Sequence, residues 1–265
     1  MALIATVVGI MPTMANDAQA SSFAPAAARG PLKIVWGTFA TVMGVVYTAI
    51  LAPMAALCAL FGRPGPVTQL ARLWGWLIIK TSGIRVEIEG LENLAGLKSY
   101  ILISNHQSFF DIFAVAAYMP GAVRFIAKKE LLKIPILGYA LNHSCHIVID
   151  RQAGGKEIRR ALEVTRKGYS ICVFAEGHRF NDNRVHEFED GAAWLAILTK
   201  LPAVPMAISG SGLFFPRRAM IVVPGGTMRM RIGRPLATVG LRSADRIEMT
   251  RKLEESVKAM FDEEV

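Results

Sequence analysis

Cysteine is scarce in this chain: 3 in 265 residues, Cys58, Cys145 and Cys172, with no paired spacing. That excludes a disulfide framework and the finger or ribbon arrangements that hold zinc. All three lie in apolar contexts and read as reduced interior or membrane-segment thiols, consistent with a cytoplasmic active site. No G-x-S-x-G elbow is present, and the one candidate nucleophile for a lipid hydrolase is Ser211 in SGSG. Lys and Arg are missing before Arg29, so the apolar Met1 to Met14 and the cleavage-like Ala18-Gln19-Ala20 lack the basic region of a secretory signal. Residues 1–30 read instead as a flexible or targeting extension. Charge is thin as well: Asp, Glu, Lys and Arg make up 19% of a chain that is 52% hydrophobic, more apolar than a typical soluble domain. Part of it is therefore expected to meet lipid. There is no internal repeat and no recognised nucleic-acid module, so nucleic acid is not an expected partner.

What charge exists is lopsided, with 30 basic against 21 acidic residues and a net charge of +9. From Arg124 to Lys167 ten basic residues outnumber four acidic ones. Such a cluster suits anionic headgroups or the phosphates of a coenzyme, while Lys156, Arg159 and Arg160 fit a solvated helix face. Ile34 to Phe61 is a run of 28 residues without charge, flanked by Lys33 and Arg63. As one helix it would reach about 42 Å, beyond the roughly 30 Å of a bilayer's hydrocarbon. Pro53 interrupts it, which leaves open a tilted span from Ile34 to about Ala52 or a helical hairpin returning to the same leaflet. Trp36, Trp74 and Trp76 suit a membrane interface, and the amphipathic Gln69 to Lys80 could press the rest of the chain against it. Residues 31–82 are thus expected to form a membrane-associated helical anchor.

From residue 83 to 265 short β-rich runs alternate with helical ones, the pattern of an α/β domain with a largely parallel sheet flanked by helices. Strands are expected at Arg85–Glu89, Tyr100–Ser104, Val123–Ala127, His146–Ile149, Ser170–Phe174 and Ala203–Ile208. Helices are expected at Phe110–Tyr118, Ile136–Asn142, Gly155–Lys167, Gly191–Thr199 and, closing the chain, Ser243–Asp262. Met220–Val223 and Met228–Ile232 flank Pro224-Gly225-Gly226 and predict a hairpin. His143 and His146, with Cys145 between, read as strand entry rather than a metal site.

The segment SNHQSFFD, Ser104 to Asp111, follows the apolar Tyr100–Ile103. A neutral imidazole can take a proton from an alcohol, and a carboxylate on its other nitrogen fixes the tautomer and stabilises the imidazolium. On one helix His106 and Asp111 would diverge by about 140°, so His106 belongs in a turn and Asp111 in the first helical turn. The same letters admit a plainer reading in which Ser108 and Asp111 form a capping box and His106 is a loop residue.

Four further segments occur in a fixed order: AKKELLKIPILG (Ala127 to Gly138), IVIDR (Ile147 to Arg151), FAEGHRF (Phe174 to Phe180) and AVPMAI (Ala203 to Ile208). With Asn105, His106 and Asp111 they span about Gly90 to Ile208, and the chain resembles the 1-acylglycerol-3-phosphate acyltransferase family of glycerolipid acyltransferases. The resemblance implies that His106 deprotonates the hydroxyl of a lyso-lipid acceptor while Asp111 orients it. Acyl-CoA or an acyl carrier protein would be the acyl donor, with no other cofactor and no metal. It further implies that Arg179 holds the headgroup, that Gly177 lets the backbone approach, and that Glu176 positions Arg179 or a substrate hydroxyl. Arg151, Lys128 and Lys129 would be further contacts for anionic groups. His106, Glu176 and Arg179 each follow the C-terminal end of an expected strand, the edge where open α/β sheets place ligands. The chain departs from the family pattern at Ala175 and His178, where proline and threonine are usual. It departs again in FEDG (Phe188 to Gly191), where Glu189 stands in place of a lysine. Lysophosphatidic acid is the leading acceptor, a neutral, zwitterionic or amino-acid-containing lyso-lipid the competitor, and a silent lipid-binding protein the reading from another class.

Overall fold

A computed structural model describes residues 30–128, 147–149, 156–180, 182–216 and 219–262. The expected helix Ile136–Asn142, the side chains of His143 and His146, and residues 1–29 lie outside the described residues.

The described residues begin with two helices, α1 (Pro31–Leu60) and α2 (Pro64–Thr81). α1 runs on through Pro53, and the chain reverses at Gly62, whose φ of 64° suits glycine. The helices are joined by polar contacts: Trp36 Nε1 donates to the Thr81 carbonyl at 2.9 Å, Trp74 Nε1 to Thr48 Oγ1 at 2.9 Å, and the Tyr47 and Thr81 hydroxyls meet at 2.9 Å. Trp74 therefore faces inward, edge-on to Phe113 at 4.8 Å, rather than toward an interface as expected. Within α1 the hydroxyls of Thr38, Thr41 and Thr48 bond back to carbonyls four residues earlier. Only Gly37 and Ala40 of α1 are buried. Leu32, Val35, Phe39, Val42, Val46 and Ile50 form an exposed apolar stripe. α1 is the one described helix long and apolar enough to cross a membrane.

A seven-stranded sheet follows, built from β1 (Arg85–Glu89), β2 (Ile101–Ser104), β3 (Val123–Lys128), β4 (Ile147–Ile149), β5 (Ser170–Phe174), β6 (Ala203–Ser209) and β7 (Thr227–Ile232). Their order is β1-β7-β6-β2-β5-β3-β4, parallel throughout except for β6 against β7. Central strands read as unbroken apolar runs because both faces are covered, as in Ile101-Leu102-Ile103, all 0% exposed. β7 alternates instead: Met228, Met230 and Ile232 are buried, while Arg229 and Arg231 pair with Glu87 and Glu89 of neighbouring β1. The hairpin expected from Met220 to Ile232 does not form. Val222 N donates to Thr41 Oγ1 of α1 and Val223 N to the Phe214 carbonyl, so this segment docks the first helix instead of pairing with β7.

Remaining helices cover the two faces. α3 (Phe109–Tyr118) packs against α2 and one side of the sheet. α4 (Lys156–Arg166), α5 (Gly191–Thr199) and α6 (Arg246–Met260) cover the other. Gly75 of α2 lies so close to α3 that a Cβ there would sit 2.4 Å from the Phe113 carbonyl oxygen. The turns that leave β2 and β5 emerge side by side, because those strands pair in register from Ile101 with Ile171 to Ser104 with Phe174.

Candidate active site

Asn105, 0% exposed, closes the end of β2. Its amide donates Nδ2 to the Ile208 carbonyl and accepts the Ile208 N–H at Oδ1, both at 2.8 Å, replacing a ladder pair where the strand stops. The chain then turns through His106 into α3, whose N-cap is Ser108. Asp111 Oδ2 accepts three hydrogen bonds: from Ser108 N at 2.9 Å, Gln107 N at 2.8 Å and His106 Nδ1 at 2.8 Å. The capping carboxylate is also the imidazole's partner, so the capping box and the His106–Asp111 contact coexist. Asp111 is fully buried at the positive end of a helix, where a negative charge is favoured. An Nδ1–H donated to that carboxylate leaves the Nε2 lone pair available. The His106 side chain is 14% exposed, and its ring stacks on Phe174 at 4.0 Å.

FAEGHRF leaves β5 beside this turn. Gly177 has φ of 68°, and a Cβ there would lie 2.3 Å from Glu189 Oε1, so glycine is required on both counts. Glu176 is 4% exposed, and both its oxygens take backbone donors: His106 N to Oε2 at 2.8 Å and His186 N to Oε1 at 2.9 Å. The sequence leads one to expect Glu176 to reach Arg179 or substrate; its carboxylate instead holds the main chains of two loops. Burial pushes its carboxyl up to about 8, against the pull of those two N–H donors toward the charged form. Phe180 N donates to the His106 carbonyl at 3.1 Å, so both peptide groups of His106 are held by the FAEGHRF segment. The Arg179 guanidinium carbon lies 3.7 Å from the centre of the Phe109 ring.

The structure thus gathers His106, Asp111, Glu176, Gly177 and Arg179 at the C-terminal edge of β2 and β5. Lys128 ends β3, on the far side of β5, and its side chain, like Lys129 and Arg151, lies outside the described residues. Ser211 is 0% exposed, which takes the hydrolase nucleophile out of reach of a substrate. Among the described residues no group of His, Cys, Asp and Glu is arranged to hold a metal. Sequence reasoning passed over Asn105 as a brace, Phe174 and Phe109 as ring partners, and a second histidine–carboxylate pair, His186 Nε2 with Asp182 Oδ2 at 2.7 Å. The spacing of that pair, four apart, was the available signal.

Comparison with known proteins bears on this geometry. A family model described as Acyltransferase matches residues 85–209. The 1-acyl-sn-glycerol-3-phosphate acyltransferase alpha of Bos taurus is 30% identical over 223 residues, covering 83% of this chain and 77% of that one. The chloroplastic 1-acyl-sn-glycerol-3-phosphate acyltransferase BAT2 of Brassica napus is 30% identical over 171 residues, 63% of this chain and 49% of that one. The chain therefore spans about half the length of this chloroplastic relative. In fold, it is similar to the 1-acyl-sn-glycerophosphate (LPA) acyltransferase PlsC from Thermotoga maritima, with a TM-score of 0.73 at 24% identity, over 86% of this chain and 96% of that one.

Proposed function

The chain belongs to the 1-acyl-sn-glycerol-3-phosphate acyltransferase family, and on that premise we propose that it transfers a fatty acyl group from acyl-CoA or acyl carrier protein to the free hydroxyl of 1-acylglycerol-3-phosphate. The product is phosphatidic acid. The observation that carries this reading is the 2.8 Å bond between His106 Nδ1 and a buried carboxylate already fixed by two backbone N–H groups. His106 Nε2 takes the acceptor's proton as its oxygen attacks the thioester carbonyl. The C–O bond forms, the tetrahedral intermediate expels the thiolate, and His106 returns the proton to sulfur. Asp111 stabilises the imidazolium between these steps. No acyl-enzyme is required.

Arg179 binds the acceptor phosphate, with the Gly177 backbone close beside it. Glu176 acts indirectly, by holding the main chain of His106 in place. Lys128, Lys129 and Arg151 contribute further positive charge toward the anionic groups of donor or acceptor. Residues 31–82 serve as a membrane anchor, with the apolar stripe of α1 in the acyl region and the catalytic domain, 83–265, on the cytoplasmic face. The intrahelical bond of Thr38 suits that placement, because an exposed hydroxyl facing lipid needs an internal partner.

A second acceptor reading rests on Glu189, whose carboxylate packs against Gly177 where a headgroup would approach. It favours an amine-bearing lyso-lipid over a phosphate. Thiol release from acyl-CoA and from acyl carrier protein, scanned over lysophosphatidic acid and amino-acid-containing lyso-lipids, separates the two. Turnover only with lysophosphatidic acid supports the leading reading, and turnover only with an amine-bearing acceptor replaces it. Release without any acceptor would show a thioesterase, and no release with either donor would leave a silent lipid-binding protein. Flotation with vesicles, compared with a variant carrying charged residues at Val35, Phe39 and Val42, tests the anchor.

A further inference from the structure

We propose that Phe109 is a positioning residue for the headgroup-binding arginine: its ring is a shelf that holds the Arg179 guanidinium in place before the acceptor arrives. The inference rests on the acyltransferase reading above and adds to it a residue outside the matched motif positions.

Phe109 is the first residue of α3, directly after the N-cap Ser108. The capping box and the bonds to Asp111 Oδ2 fix that first turn, so the direction of the Phe109 side chain is set by the same contacts that orient His106. The ring also meets Phe215, edge-to-face at 6.2 Å and 62°. Arg179 Cζ lies 3.7 Å from the Phe109 ring centre, the separation of a face contact between a planar cation and an aromatic ring. A guanidinium resting on its face keeps its edge, with the in-plane N–H donors, turned to other partners, which is the geometry that bidentate phosphate binding uses. The long arginine side chain also loses rotamer freedom to the shelf rather than to the substrate, which favours binding by preorganisation. One helix start therefore sets two positions at once: the base, through Asp111 in its first turn, and the anion-binding group, through Phe109. The acceptor's hydroxyl and headgroup are gripped by elements of a single rigid unit.

The prediction is a split between binding and turnover. The test uses full-length protein in detergent and two readouts: acceptor-saturation kinetics, and affinity for lysophosphatidic acid measured calorimetrically in a His106→Ala background, which needs no turnover. Phe109→Leu should raise the acceptor KM and the dissociation constant about 3- to 30-fold, the range of a partly to fully desolvated cation–π contact. Its kcat, donor KM and melting temperature should stay unchanged. Phe109→Trp should restore both constants, and in an Arg179→Ala background Phe109→Leu should add nothing. Unchanged affinity in Phe109→Leu, or an equal further loss in the Arg179→Ala background, overturns the shelf while leaving the transferase reading intact. Should wild-type protein show no transfer while the binding shift and its dependence on Arg179 are seen, the transferase reading fails and the shelf stands. No binding of lysophosphatidic acid by any variant overturns both.

Discussion

Replacing Asp111 with asparagine distinguishes the charge of this side chain from its hydrogen bonds. Oδ2 accepts from Gln107 N, Ser108 N and His106 Nδ1, whereas Oδ1 is buried with no hydrogen-bond partner. Two backbone N–H groups pointing at one position force an amide to place its oxygen there, because an NH2 group would face two donors. The Nδ1–H of His106 therefore keeps an acceptor, and the tautomer with a basic Nε2 is retained. What is lost is the negative charge opposite the imidazolium. A hydrogen bond to a charged partner contributes about 1.5–3 kcal/mol and one to a neutral partner about 0.5–1.5, so the charge alone adds about 1–1.5 kcal/mol. At 1.36 kcal/mol per tenfold, its loss opposite the charged intermediate should cost about 5- to 13-fold in kcat. The new NH2 would occupy the buried Oδ1 site, at about 1–3 kcal/mol of stability. Asp111→Ala should be worse in both respects: the N–H groups of Gln107 and Ser108 are orphaned, at a combined cost of about 2–6 kcal/mol against a typical total of about 5–15. Thiol-release kinetics with lysophosphatidic acid and thermal unfolding of both variants supply the comparison. Wild-type kcat in Asp111→Asn, or equal destabilisation by the two substitutions, would refute the reasoning.

Three further outcomes follow from the same geometry. Glu176, with its carboxyl raised by burial from 4.5 to about 8, binds its proton more tightly in the folded chain than in the unfolded one. Its contribution to stability is complete below about pH 4.5 and is lost as pH rises toward 8, so the melting-temperature difference between wild type and Glu176→Gln should shrink across that window; a difference independent of pH would contradict this. Gly75→Val places a side chain against the Phe113 carbonyl, where a Cβ alone comes to 2.4 Å, and should separate α2 from α3, seen as a lowered melting temperature and faster hydrogen exchange in α3. Ser211→Ala removes a buried hydroxyl with no hydrogen-bond partner and should leave transfer activity intact with no loss of stability, whereas abolished activity would revive a serine-based mechanism.

Legibility in the sequence tracks how local the determining physics is. β5 and α5 form where the letters predict, because an apolar five-residue run and a short Ala- and Leu-rich segment need no distant partner to be recognised. The segment from Met220 to Val223 looked like half of a hairpin, since Pro-Gly-Gly is a strong turn signal. A long-range contact decided otherwise: Gly37 of α1 approaches so closely that a Cβ would lie 2.1 Å from the Val222 carbonyl oxygen, and Thr41 takes the Val222 N–H. At Pro53 the local rule predicts a break, yet α1 continues and Gly62 makes the turn. In the site, the His106–Asp111 pair was readable from spacing because the turn and helix start are contiguous in sequence. Glu176 was not: its bond to His106 N crosses 70 residues and depends on the register of β2 with β5, which no local pattern encodes. Phe109 escaped for the opposite reason, since an aromatic at a helix start is unremarkable until an arginine from another loop is seen above it.

The most direct test of the account is the transfer of a radiolabelled acyl group from acyl-CoA, and from acyl carrier protein, to lysophosphatidic acid by purified wild-type protein and by His106→Ala. Removal of the general base should lower the rate about 10²- to 10⁴-fold in a variant that still folds cooperatively, its melting temperature lowered only by the lost contacts to Asp111 and Phe174. A folded His106→Ala protein that transfers at the wild-type rate would contradict the central claim, because the proton would then be leaving the acceptor by another route.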